Sequence, residues 1–223
     1  MKLTAFKYGV TEITERMAFG DGNENIKLPI ALLFFLIEIE DKKILVDVGC
    51  DTMPGFDLKE FKPPAEVLES YGIKRDEITD IIITHSHHDH IDAIRHYCNA
   101  NIYLHKNELH GANPYLTETS RVIVIEGDKI IFKNIQFKFV GGHSPGSGIV
   151  LIKGNDKTYT LCGDECYTKE NLSLGKPTGS SFNLKNSENF VNEYRKDLYI
   201  PILFHDPELV PEIGYKTIFA RKD

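Results

Sequence analysis

With 223 residues, 41% of them hydrophobic, the chain is long enough to bury a full core and reads as one α/β domain over residues 1–223. A net charge of −7 without a basic run leaves nucleic acid out of the expected partners. The longest apolar run, Leu28 to Ile37, contains Pro29 and stops at Glu38; it is too short for a membrane span and starts too late for a signal peptide, so no membrane partner and a cytoplasmic location are expected.

Met17, Phe19 and Ile26 fall in an irregular stretch before that run and suit core contact or a pocket wall equally. Residues 32–39 and 44–48 read as a hairpin closed by Asp41-Lys42-Lys43. Pro63-Pro64 opens a helix that runs to Tyr71 and ends at Gly72, proline at the start and glycine past the end. A buried strand over 80–84, a helix over 91–97 and a short strand over 101–104 follow. His105 and His110 are expected on a helix from Leu104 to Gly111. Strands at 121–125, 129–132, 135–140, 148–152 and 157–162 are separated by the turn pairs Gly127-Asp128, Lys133-Asn134 and Gly154-Asn155. A helix over 187–197 leads to a strand over 200–204. Two β-rich halves with flanking helices predict two sheets packed face to face with helices outside.

Between the strand at 80–84 and the helix at 91–97 lies His85-Ser86-His87-His88-Asp89-His90. Imidazole and carboxylate are the usual non-thiol ligands of zinc and similar metals, and a catalytic metal needs several of them with one position left open. The end of a strand before a helix is where α/β folds place their sites. Further candidates stand after other strand-like runs: His143 in Gly141-Gly142-His143-Ser144-Pro145-Gly146, Asp164 after Leu161-Cys162-Gly163, His205 after Leu203-Phe204, and Asp47 at the end of Ile44-Leu45-Val46. Any one alone reads as an N-cap or loop residue; five strand ends that deliver His or Asp read as a site. His88 is expected to point away from it, and His96 to be a solvated residue near a helix end. Cys50, Cys98, Cys162 and Cys166 form no Cys-x-x-Cys pair and read as reduced thiols, with Cys166 filling space in its loop.

In their order, these motifs resemble those of the metallo-β-lactamase superfamily: Asp, His-x-His-x-Asp-His, His, Asp and His. The resemblance implies a four-layer αβ/βα sandwich. It implies two divalent metal ions, zinc by ligand chemistry, one held by His85, His87 and His143, the other by Asp89, His90 and His205, with Asp164 bridging. Asp47 matches the carboxylate that orients the ligand loop. A narrower likeness follows Asp164, where Asp164-Glu165-Cys166-Tyr167-Thr168-Lys169-Glu170-Asn171 is similar to the Asp-x-x-Tyr-Thr-Lys-Glu-Asn segment of N-acyl homoserine lactonases. Leu28-Pro29, His143-Ser144-Pro145-Gly146 and Phe204-His205-Asp206 fit those enzymes too. Ile91-Asp92-Ala93 replaces their small Ala-Gly residues, and the loops after Asp47 and Asn171 are shorter, so the chemistry transfers better than the substrate.

The expected reaction is hydrolysis of a small-molecule lactone or ester, an N-acyl homoserine lactone first. Two cations sharing a hydroxide bring the pKa of water from about 15.7 towards 7 and polarise the carbonyl. Asp89, Asp164 and Tyr167 are the expected catalytic residues. Tyr167 is placed to donate to the developing oxyanion, and Asp164 to return a proton to the leaving alkoxide. A thioester hydrolase of the glyoxalase II kind shares the ligands but carries extra C-terminal helices. A phosphodiesterase or nuclease of the superfamily calls for a basic surface. The flavin-linked diiron oxygen reductases call for a partner domain and a glutamate where His87 stands.

Overall fold

The computed structural model describes residues 1–221. Strands β1 (Lys2–Thr14) and β2 (Lys27–Ile39) pair antiparallel over their whole length. Successive strand residues face opposite sides, and here both sides are covered. Leu32, Phe34 and Leu36 pack with Val67 and Leu68 of helix α2 (Pro64–Ser70). Ala31, Leu33, Phe35 and Ile37 pack against Phe137, Val150 and Ile152 of a second sheet. A strand buried on both faces reads as a continuous apolar run rather than an alternation, which is why 28–37 resembles a short membrane segment in composition alone. No helix among the described residues is long and apolar enough to cross a membrane.

The first sheet adds β3 (Lys42–Val46), β4 (Asp80–Ile82), β5 (Asn101–His105), β6 (Arg121–Ile125) and β12 (Gly214–Ala220), in the order β12-β1-β2-β3-β4-β5-β6. The second holds β7 (Lys129–Phe132), β8 (Ile135–Phe139), β9 (Gly148–Lys153), β10 (Thr158–Leu161) and β11 (Tyr199–Ile202), in the order β11-β10-β9-β8-β7. Helices α5 (Lys169–Leu174) and α6 (Leu184–Tyr194) cover its outer face through Leu172, Phe190 and Val191. Helix, sheet, sheet and helix make the four αβ/βα layers. Strands β3 to β6 run parallel, as do β10 and β11. Two antiparallel steps through β9 turn β8 the same way as β10. The loops after β3, β4, β8, β10 and β11 therefore leave from matching ends of their sheets.

Several elements differ from the sequence reading. The stretch before Leu28 is mostly β1, followed by the short helix α1 (Glu15–Phe19), which carries Met17 and Phe19; Ile26 is exposed. The helix expected over 91–97 is α3 (His88–Ile91) continued by a 3-10 turn, Asp92–His96. His105 closes β5 instead of opening a helix, because pairing with Ile125 and stacking on Phe139, ring centroids 4.5 Å apart, hold it extended. Beyond it a 3-10 turn, Lys106–Glu108, runs into the short α4 (Leu109–Ala112), so the expected helix starts two residues later. Strand β12 has no counterpart in the sequence reading; it is an edge strand with mostly half-buried or exposed residues, so its apolar signal is weak.

Candidate metal centre

Asp47 follows β3 at φ 55°, a left-handed conformation that aspartate visits more readily than bulky residues. This aims its carboxylate at the loop after β4. Oδ1 accepts from the Thr84 amide and Oδ2 from the Thr84 hydroxyl, both at 2.7 Å. Oδ2 also meets His90 Nδ1 at 2.6 Å, while Thr84 Oγ1 lies 3.1 Å from His85 Nδ1. Two imidazoles are thus fixed through their outward nitrogens, which sets the direction of the inward ones. His205 is anchored by backbone: its Nδ1 donates to Ala31 O at 2.9 Å, and Ala31 N donates to His205 O at 3.2 Å. That pair of bonds ties β2 to the loop after β11.

The inward atoms fall into two groups. His85, His87, His143 and Asp164 form one, and Asp89, His90 and His205 the other; within each, the potential ligand atoms lie within 4.8 Å of one another. Asp164 stands between them. Its Oδ2 is 3.7 Å from His85 Nε2 and 3.6 Å from His143 Nε2, while its Oδ1 is 3.1 Å from His90 Nε2 and 3.0 Å from His205 Nε2. Asp89 Oδ2 lies 3.5 Å from His90 Nε2 and 3.7 Å from His205 Nε2. Residues from both sheets, far apart in sequence, meet in one cluster, buried except for the exposed His87 and the half-buried Asp89.

Charge in the cluster is strongly polarised. Burial, with the charge on His90, pushes His85 well below its usual pKa, and burial takes His143 down to about 4. Burial opposes the charge on His90 as well, yet Asp164, Asp89 and Asp47 together raise it well above the usual range. Asp164 is held well below the carboxylate range because His90, His205 and His85 outweigh its burial.

His85 Nε2 and His90 Nε2 are buried without a hydrogen-bond partner, and His87 Nδ1 faces His143 Nε2 at 2.9 Å. An unsatisfied buried polar atom costs about 1–3 kcal/mol, and nitrogens that close call for a proton or a cation between them. Imidazole and carboxylate donors without thiolate suit zinc and similar ions. The residues fit a divalent cation in each group.

Tyr167 packs beside the cluster, its ring centroid 5.4 Å from that of His205 and 6.0 Å from that of His143. Burial, then the Asp164 charge, pushes its phenol well above the usual value. A cleft of about 310 Å³ opens onto His87, Asp89, His143, Asp164 and His205, walled by Ile13, Met17, Ile30, Met53, Pro54 and Phe56. A second cleft of about 350 Å³, with Phe19 and Leu28 in its wall, shares Ile30, Tyr167 and His205 with the first. As expected, His88 joins neither ligand group: Thr52 O at 2.8 Å and Tyr115 Oη at 3.1 Å hold its ring nitrogens, while the residue lines the edge of the first cleft. His96 bonds Asp51 Oδ2 at 2.8 Å. The Cys166 thiol is buried and donates to Thr168 O at 3.2 Å, and burial pushes its pKa well above the usual value.

Two buried carboxylates escaped the sequence reading, Glu108 and Glu165. Glu108 lies in the segment expected as a helix, where nothing in the local pattern marks its side chain as buried. Glu165 occupies an unspecified position of the motif after Asp164, so its only signal was a charged residue directly beside a ligand.

Residues 33–199 match the metallo-beta-lactamase superfamily. An N-acyl homoserine lactonase of Bacillus cereus is 26% identical over 210 residues, spanning 82% of this chain and 83% of the relative. Among solved structures, an N-acyl homoserine lactone hydrolase with the product N-hexanoyl-L-homoserine at its catalytic metal centre superposes with a TM-score of 0.79 at 22% identity, covering 93% of this chain and 94% of that one. The dizinc quorum-quenching lactonase AidC superposes with a TM-score of 0.73 at 16% identity, covering 99% and 95%. At such identities, the structural likeness shows a shared fold. With three quarters of its length inside the family match, this chain belongs to the metallo-β-lactamase superfamily.

Proposed function

We propose that the chain is a metal-dependent hydrolase that opens a lactone or related ester, with an N-acyl homoserine lactone as the first substrate to test. The observation that carries the reading is Asp164, whose two oxygens face two separate histidine groups at the floor of an apolar cleft. The lactonase relatives support the choice of a lactone. His85, His87 and His143 would hold one ion, Asp89, His90 and His205 the other, and Asp164 both; zinc suits the donors. When bound, the two ions supply a water activated as nucleophile near neutral pH and Lewis acidity at the carbonyl.

The chain's own groups do the rest. Tyr167, beside His143 and His205, donates its phenolic hydrogen bond to the carbonyl oxygen as negative charge gathers there. Asp164 takes the proton given up by the attacking water and passes it to the leaving alkoxide; because its histidine neighbours hold it well below the carboxylate range, it keeps that proton only in passing. Met17, Met53 and Phe56 supply an apolar wall for an acyl chain and keep water away from it.

Elemental analysis of protein purified without chelator should give close to two ions per chain; a reproducible value of one at full activity would overturn the two-ion mechanism. Turnover of a panel should favour the acyl homoserine lactone over a glutathione thioester, a β-lactam and a phosphodiester; preference for the thioester would replace the lactone reading. Tyr167→Phe keeps the ring and removes one donor. Losing such a donor costs up to about 10²–10³ in turnover, less where a cation carries much of the charge, so a fall of about tenfold is expected at unchanged metal content and Tm. Unchanged turnover would remove Tyr167 from the mechanism.

A further inference from the structure

Most of the candidate ligand rings are held from behind, but His143 is not. Its Nδ1 is buried and has no hydrogen-bond partner, whereas the outward nitrogens of His85, His90 and His205 meet Thr84, Asp47 and Ala31. A ligand imidazole needs its direction fixed by some partner. For His143 the partners lie on the backbone. Glu165 Oε1 accepts from the amides of Gly142 and His143, each at 3.2 Å, and from the Ser147 hydroxyl. On the other side, Glu108 Oε1 accepts from the Ser144 hydroxyl at 2.6 Å and the Gly146 amide at 2.7 Å. Its second oxygen takes the Ser86 amide at 2.8 Å, which joins the His143 loop to the loop of His85 and His87.

The glycines of this loop reflect how closely the two carboxylates approach. A Cβ on Gly142 would collide with Glu165 Oε2 and meet Ser187 Oγ at 2.6 Å; one on Gly146 would meet Glu108 Cγ at 2.8 Å. Both carboxylates are buried, Glu165 with only 1% exposed. Neither has a cationic partner among the ion pairs of the described residues. Their role is to accept from the loop.

We propose that Glu165 is a positioning residue for His143, gripping the backbone of the 142–147 loop from one side while Glu108 grips it from the other. This rests on the two-ion reading above. The grip needs an acceptor oxygen at Oε1, not a charge, because Oε2 has no hydrogen-bond partner and neither has the neighbouring Ser187 Oγ. Glu165→Gln keeps the acceptor and can turn its amide towards Ser187; Glu165→Met keeps the volume and removes the acceptor.

The test is a zinc titration of the chelator-stripped full chain against a chromophoric competitor, with His143→Ala and His205→Ala as references and Tm recorded for each stripped protein. Partners of ligands are worth about 10–100-fold in metal affinity. Glu165→Met is expected to weaken one ion by that factor, in the pattern of His143→Ala, and Glu165→Gln to match the wild type. A residue that only stabilises the fold would lower Tm and weaken both ions in parallel. Parallel loss, a pattern like His205→Ala, wild-type affinity in Glu165→Met, or a Gln variant as weak as a reference mutant would each overturn the proposal. A wild-type chain that takes up fewer than two ions would refute the two-ion reading itself, a result separate from all of these.

Discussion

Asp164→Ala is expected to cost the protein both metal ions together and to bring lactone turnover to background. The reason is the division of its two oxygens, one toward His85 and His143 and the other toward His90 and His205. Residues that merely orient ligands are worth about 10–100-fold in affinity, so removing a ligand shared by two ions should exceed about 100-fold for each. His205→Ala makes the control, because His205 belongs to the second group only; it should weaken mainly one ion. Elemental analysis and competitive titration of the two variants separate these outcomes. Loss of one and the same ion in both variants would contradict the bridging geometry.

Asp47→Ala should have the largest effect on stability. Asp47 is fully buried and accepts from the Thr84 amide, the Thr84 hydroxyl and His90 Nδ1. Alanine leaves the two Thr84 donors and the His90 Nδ1 hydrogen without their acceptor. Unsatisfied buried donors cost about 1–3 kcal/mol each, which makes a loss of about 3–5 kcal/mol the expected size. At about 2–4 °C per kcal/mol for a chain of this size, Tm should fall by about 6–20 °C. Asp47→Asn separates fold from site. Asparagine tolerates the left-handed backbone and Oδ1 still accepts from the Thr84 amide, but its NH₂ group meets His90 Nδ1 donor to donor. A carboxylate-to-amide change behind a histidine preserves shape and imposes the wrong tautomer, so Asn should keep most of Tm and lose about 10–100-fold in metal affinity. Calorimetry beside metal titration checks both halves. A Tm loss in Asn equal to that in Ala, or wild-type affinity in Asn, would refute this account.

The candidate ligands were legible because their chemistry is local: His and Asp types at fixed spacing, each placed just after an apolar strand run. The strands that deliver them were legible for the same reason, since β3, β4 and β8 carry their burial in their own composition. Strand β1 was not. It interleaves Lys7 with Phe6 and Tyr8, and the buried lysine is tolerated only because its ammonium donates to Pro211 O at 2.7 Å, a partner about 200 residues away.

What the sequence determined by itself was therefore the set of donors and the apolar segments behind them. The tertiary structure decided which oxygen faces which nitrogen, that His105 ends a strand by stacking on Phe139, that His88 lines the cleft, and that Glu108 and Glu165 grip the His143 loop. Glu108 lies 36 residues from Ser144, and Glu165 18 from Ser147. No local period encodes such pairings; they arise when parallel strands of two sheets bring their carboxyl-terminal ends together, and burial then leaves each polar group only the partners that the strand order has placed within reach.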